Sequence, residues 1–170
     1  MKNGNIVKHM LAVEAIMKSL AEHFDDDVNL WGLTGLLHDV DYELVEGDMV
    51  KHGLLAEKVL TGKVDEKVIR AVKTHNHENT GFKPESRMEK MLISADAVSG
   101  LIIACALVMP TKKISEVRVE TVAKKFKDKD FARGCDRKRI ELCESVGLEK
   151  EKLFEISSNA LQGISEELGL

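Results

Sequence analysis

The chain has 170 residues, of which 44% are hydrophobic and 32% charged, and its net charge is −4. That length fits one domain with a sizeable core, and the acidic balance argues against general nucleic-acid binding by the whole chain. Two prolines and 4% aromatics suit a helical protein whose core is mainly Leu, Ile, Val, Met and Ala.

Residues from about 5 to 23 carry Ile6, Met10, Val13, Met17 and Leu20 at helical spacing, with His9 on the same apolar side. Asp25-Asp26-Asp27 ends this helix and places negative charge at the N-terminus of the next, which its dipole favours. Leu30, Leu33, Leu36 and Leu37 give the second helix a buried face, and it runs into His38-Asp39 with Asp41 close behind. Adjacent helical side chains lie about 100° apart, so His38 and Asp39 can reach one point only at a helix end or a bend. A third helix is expected over about 49–61, with His52 in phase with Leu55, Ala56 and Val59. A fourth, over about 65–76, has Val68, Ala71 and Val72 on one face with His75, whereas His77 projects elsewhere or lies past the helix end.

Residues 79–84 read as a loop. A long helix then covers about 85–108, with Met88, Leu92, Ile93, Ser99, Gly100 and Ile103 on one face, Asp96 in the middle of it, and Pro110 as its stop. Shorter helical pieces are expected near 115–125, 128–133 and 136–146, and a last amphipathic helix near 149–168. No period-2 stretch competes. The expectation is an all-α helical bundle forming one domain over 1–170, with a core at about 5–105 and a C-terminal helical extension at about 111–170.

Cys105, Cys135 and Cys143 are an odd set without C-x-x-C spacing, which reads as reduced thiols. The N-terminus lacks the apolar core of a signal peptide, and the longest apolar run, Ala97 to Met109, falls short of a bilayer span. A cytoplasmic protein without a membrane partner is expected, and nothing opposes its assembly into a homo-oligomer.

His9, His38, Asp39, His52, His75 and Asp96 thus fall on five successive helices or helix ends. A lone histidine on an apolar face is commonly a satisfied core residue. A mid-helix carboxylate on a buried face is harder to dismiss, because buried charges are paired or coordinate metals. A shared metal centre explains the set more simply than six separate structural roles.

The order His9 … His38-Asp39 … Asp96 resembles the H…HD…D signature of the HD-domain superfamily of metal-dependent phosphohydrolases. The phrases Val7-Lys8-His9-Met10-Leu11-Ala12, Gly35-Leu36-Leu37-His38-Asp39 and Ala95-Asp96-Ala97-Val98 carry the likeness, which covers about residues 5 to 105. Lys51-His52-Gly53 and Thr74-His75-Asn76-His77 resemble the extra histidines of the dinuclear branch. No Gly-Tyr-Pro follows the pair, which disfavours the cyclic-di-GMP subclass.

The resemblance implies that His9, His38, Asp39 and Asp96 hold a first metal, and that Asp39 bridges to a second held by His52 and His75. It implies a water or hydroxide between the ions as nucleophile. His/Asp ligation suits one or two divalent ions of Mn, Fe, Co, Ni or Zn better than Mg or Ca. Asp39 and Asp41 are the candidate catalytic carboxylates, Asp41 either hydrogen-bonding a ligand, accepting a proton or serving as a plain turn residue. Lys51, His77 and Arg87 are candidate substrate contacts, each also readable as a surface residue. Residues 112–139 hold 11 Lys and Arg against 5 Asp and Glu, a basic excess that either rims an anion site or forms solvated helix faces. The expected activity is hydrolysis of a small phosphorylated molecule, a nucleotide in particular. The competing readings are an HD-type di-iron oxygenase and a non-catalytic ligand-binding module.

Overall fold

Asn3 opens the first helix by accepting a hydrogen bond from the Asn5 backbone N–H, and α1 (Gly4–Phe24) ends where Asp25 turns left-handed. Asp27 then caps α2 (Val28–Leu37) through the N–H groups of Asn29 and Leu30, so the acidic triplet does end one helix and begin the next. These features come from a computed structural model describing residues 2–170, in which the described residues form helices and turns without strands.

α2 lies against α1 at Gly35, where a Cβ would stand 2.8 Å from the Val13 carbonyl oxygen and 2.9 Å from the Glu14 Cα. The glycine therefore sets the distance between the helix that carries His9 and the one that ends at His38. Gly35→Ala forces the two backbones apart, and a destabilisation of about 1–3 kcal/mol is expected from overpacking, read by urea unfolding.

Residues 38–53 differ from expectation. They run in turns, and α3 (Leu54–Leu60) begins five residues later than the periodicity predicts, leaving His52 outside it. Two long-range features explain this. Gly53 sits at φ +86°, with its backbone against the Val72 carbonyl, and the buried Asp41 side chain accepts from the N–H groups of Gly53 and Ala56. A side chain from twelve residues upstream thus caps the helix.

α4 (Glu66–His75), capped by Asp65, and the short α5 (His77–Thr80) follow. Ser86 and Glu89 then form a capping box at the start of α6 (Arg87–Leu107). After Pro110 come a 3₁₀ turn (Ile114–Glu116), α7 (Val119–Lys127), α8 (Arg137–Glu141) running into a second 3₁₀ turn, α9 (Lys150–Gln162) and α10 (Ser165–Leu168). The helix expected over 128–133 does not form. Its carbonyls at Asp128 and Phe131, with those of Ala132 and Cys135, accept from the Arg137 guanidinium instead of closing helical turns. The last helix is interrupted at Gly163 and Ile164, the latter at φ −122°, ψ 26°.

α6 is the axis of the molecule. By length and composition it could cross a membrane, yet most of it is enclosed by other helices. Met91, Leu92, Leu101 and Ile102 are buried with Ile16, Met17 and Leu20 of α1, Ile140 of α8, and Leu153 and Phe154 of α9. The segment after Pro110 therefore shares one core with the first 105 residues. A smaller cluster of Ala56, Leu60, Val68, Ile69 and Val72 joins α3 to α4. Phe154→Ala is expected to cost about 3–5 kcal/mol in the same unfolding experiment, because it empties a fully packed site between α6, α7 and α9.

Candidate metal centre

Five chain segments deliver six side chains to one point. His9 comes from α1, His38 and Asp39 from the turn that ends α2, and His52 from the turn before α3. His75 is the last residue of α4, and Asp96 lies mid-way along α6. The Nε2 atoms of His9 and His38 are 3.1 Å apart, and those of His52 and His75 are 3.0 Å apart. Asp39 lies between the pairs, Oδ2 at 3.6 Å from His9 Nε2, and Oδ1 at 3.4 Å from His38, 3.2 Å from His52 and 3.6 Å from His75. Asp96 Oδ1 is 3.2 Å from His9 Nε2.

The opposite ring nitrogens settle what those Nε2 atoms are. His38 Nδ1 is 2.7 Å from the Gly35 carbonyl, and His75 Nδ1 is in contact with the Val72 carbonyl, acceptors that demand an N–H. His52 Nδ1 donates to Asp41 Oδ1 at 2.8 Å. Ser99 donates its hydroxyl to the Asp96 carbonyl, which leaves its lone pair for His9 Nδ1 at 3.4 Å. With Nδ1 protonated, each neutral ring presents a lone pair at Nε2. Two such lone pairs 3.0–3.1 Å apart repel unless a cation lies between them. Donors about 2.1 Å from one ion and at right angles to each other are about 3.0 Å apart, so both pairs have the spacing of ligands to a six-coordinate ion. The groups His9–His38–Asp39 and Asp39–His52–His75 can each hold a metal ion.

The electrostatics agree. Burial, reinforced by its histidine neighbours and only partly offset by Asp39, lowers His38 to about 4, so its lone pair is free at neutral pH. Burial also opposes charge on His52, but hydrogen bonds to Asp39 and Asp41 override it and raise the ring to about 9. His9 is likewise raised by Asp96 and Asp39 against its burial. Burial works against ionisation of Asp39 and Asp96, yet the surrounding histidines hold both below the usual carboxylate range, with Arg139 also acting on Asp96. Without metal, a proton on His52 takes the place of an ion.

A pH dependence follows. A folded pKa raised above 6.5 contributes stability that is full below about pH 6.5 and lost as pH rises through 9. The metal-free protein should therefore lose stability between those values, and the metal-loaded protein should not, since the ion replaces the proton. Calorimetric titration with Mn²⁺ at pH 7 in two buffers of different ionisation enthalpy should show proton release.

The remaining residues named from sequence are dispersed. Asp41 is fully buried, its Oδ1 on His52 and its Oδ2 on two backbone N–H groups, so it stands behind the histidine and outside the cavity. Lys51 is exposed and paired with Asp48. His77 faces Glu78 at 3.3 Å, away from the Nε2 cluster that His75 joins. Arg87 pairs with Asp26 at 3.0 Å and lies over the Phe24 ring, at the first residue of α6 and nine positions before Asp96. None of Lys51, His77 and Arg87 lines the cavity above the cluster.

That cavity, about 440 Å³, is walled instead by residues that sequence proximity did not single out, Ile6, Tyr42, Met49, Asn76 and Arg139, beside His9, Asp39, His52, His75 and Asp96. Asn76 fastens the 49–52 turn by donating to the carbonyls of Met49 and His52. Tyr42 stands edge-on to the His52 ring.

A family model described as HD domain matches residues 6–101. Two curated relatives, both named Ribonuclease Y and from two strains of Staphylococcus epidermidis, are each 34% identical over 100 residues. The alignment covers 56% of this chain and 18% of each relative, so the chain spans under a fifth of their length. No solved structure matches.

Proposed function

The chain belongs to the HD-domain family, and on that premise we propose that it is a metal-dependent phosphohydrolase cleaving a phosphoric ester of a small phosphorylated molecule, a nucleotide in particular. The observation that carries this reading is the pair of facing Nε2 couples around one carboxylate, each ring oriented so that its Nε2 faces that of its partner. His9, His38 and Asp96 would hold one divalent ion with Asp39, and His52 and His75 a second. Ions of Mn, Fe, Co, Ni or Zn, when bound, supply the charge that lowers the pKa of a water and neutralises phosphoryl oxygens.

The protein's own residues do the rest. Asp41 keeps His52 in one tautomer and orientation, as the Gly35 and Val72 carbonyls do for His38 and His75. Ile6, Tyr42 and Met49 line the mouth of the cavity with apolar and aromatic surface, which suits a nucleoside leaving group. The likeness to proteins named Ribonuclease Y favours a second reading, in which the bond cleaved is a phosphodiester of RNA. Three free thiols suit a reducing cytoplasm.

The test is phosphate release from nucleoside mono-, di- and triphosphates and from short RNA, with Mn²⁺, Co²⁺, Ni²⁺ or Zn²⁺ supplied in turn. Turnover that requires metal and is lost on chelation is expected. A protein that holds iron, consumes oxygen and releases no phosphate from any of these would instead be the oxygenase.

A further inference from the structure

We infer that Arg139 is the anion anchor of this cavity, a specificity-determining residue whose guanidinium takes a phosphate of the substrate. The inference rests on the phosphohydrolase reading and names the group that recognises the substrate's charge. Among the side chains walling the cavity, Arg139 alone is a lysine or arginine. The others are the imidazoles and carboxylates of the metal centre, or neutral residues.

Arg139 is held in place without being used up. Its Nη2 lies 3.1 Å from Asp96 Oδ2 and donates to the carbonyl oxygen of His75, the last residue of α4. Both contacts fall on one terminal nitrogen, and among the described residues no acceptor is bonded to Nη1. The plane of the guanidinium is therefore fixed while part of its donor fork stays open, and the side chain keeps 23% exposure. A preorganised fork of this kind is what binds phosphate oxygens with least loss of side-chain freedom.

Its position supports the same use. A second cavity, about 410 Å³, shares His9, Asp96 and Arg139 with the first, so the arginine stands where the two meet. The second cavity is otherwise walled by the small residues Ala97, Gly100, Ala132 and Gly134 and by Cys135 and Asp136, so Arg139 is its one arginine or lysine as well. Ion pairs with Asp96 through Nη2 and with Glu78 through Nε, the latter at 4.0 Å, are the plainer role, and they leave Nη1 without a bonded acceptor among the described residues. The neighbouring Arg137 shows what a structural arginine looks like in this segment, its guanidinium being spread over several backbone carbonyls.

The experiment measures binding of inorganic phosphate to the Mn²⁺-loaded protein by calorimetry, with metal content read alongside, for wild type, Arg139→Gln and Arg139→Lys. A lost charge-assisted contact predicts weakening by about ten- to hundredfold in R139Q and by less than tenfold in R139K, with metal content unchanged in both. Unchanged phosphate affinity in R139Q overturns the proposal, and so does loss of metal in step with phosphate, which would make Arg139 a support for Asp96. Wild-type protein that holds metal but binds no phosphate would instead overturn the phosphohydrolase reading. Should the variants not fold, phenylglyoxal modification of the wild type decides the matter. Saturating phosphate should slow reaction at Arg139 at least fivefold while leaving the exposed Arg133 unaffected, and equal slowing at neither or both residues counts against the proposal.

Discussion

Asp39→Ala should strip the protein of its metal. The carboxylate is within 3.6 Å of all four Nε2 atoms, so its loss removes the only anion common to both histidine pairs. Metal affinity is expected to fall at least hundredfold, and any metal-dependent turnover by about a thousandfold or more, beyond what loss of a residue behind the ligands causes. The metal-free protein should respond as well. With Asp39 gone, His52 loses its first hydrogen-bonding anion, and its pKa should drop from about 9 toward or below the ordinary histidine value. An NMR titration of the ring would record that change, and a His52 that titrates as before would show that Asp39 does not face it.

Asp41→Asn should be nearly as damaging as Asp41→Ala, although Asn has the same shape. Every partner of Asp41 is a donor: His52 Nδ1–H on one oxygen, and the Gly53 and Ala56 N–H groups on the other. An amide has one acceptor end, so its NH₂ must face a donor in either orientation. The expected cost is about 1–3 kcal/mol of stability for the buried groups left unpaired, together with a ten- to hundredfold loss of metal affinity. Urea unfolding and calorimetric metal titration measure the two separately. A variant with normal stability and normal metal binding would mean that the carboxylate neither caps α3 nor orients His52.

That these six side chains converge was legible in the sequence because helical phase is local. His9, His75 and Asp96 were each placed by the apolar residues three and four positions away, of which Val13, Val72, Leu92 and Ile93 are buried as the periodicity requires. His38 and Asp39 were placed by the end of α2, where the turn lets adjacent side chains converge. What could not be read is what depends on distant residues. The late start of α3 is imposed by Asp41 from upstream and by the contact of Gly53 with Val72, and no window around residue 50 contains that information.

Nearness in sequence also misled where it stood in for nearness in space. Arg87 shares α6 with Asp96, but nine residues of helix are about 13 Å, and its partner is Asp26 rather than anything in the cavity. Lys51 adjoins His52, yet neighbouring residues in a turn point apart, and it pairs with Asp48 at the surface. Arg139 was hidden for the opposite reason. It lies 43 residues beyond Asp96 in a segment whose 11 basic residues look alike, and only the packing of α8 against α6 brings this one to the site. The basic excess noted there was a signal, but it did not say which residue mattered.

The most direct measurement is anomalous diffraction at the Mn absorption edge from crystals of the protein grown with Mn²⁺. The account predicts density beside Asp39 within ligand distance of His9 and His38 Nε2, with a second peak on the His52–His75 side about 3.5–4 Å away if both ions load. Crystals saturated with Mn²⁺ that show no anomalous density at either histidine pair, with the rings still facing each other, would contradict it.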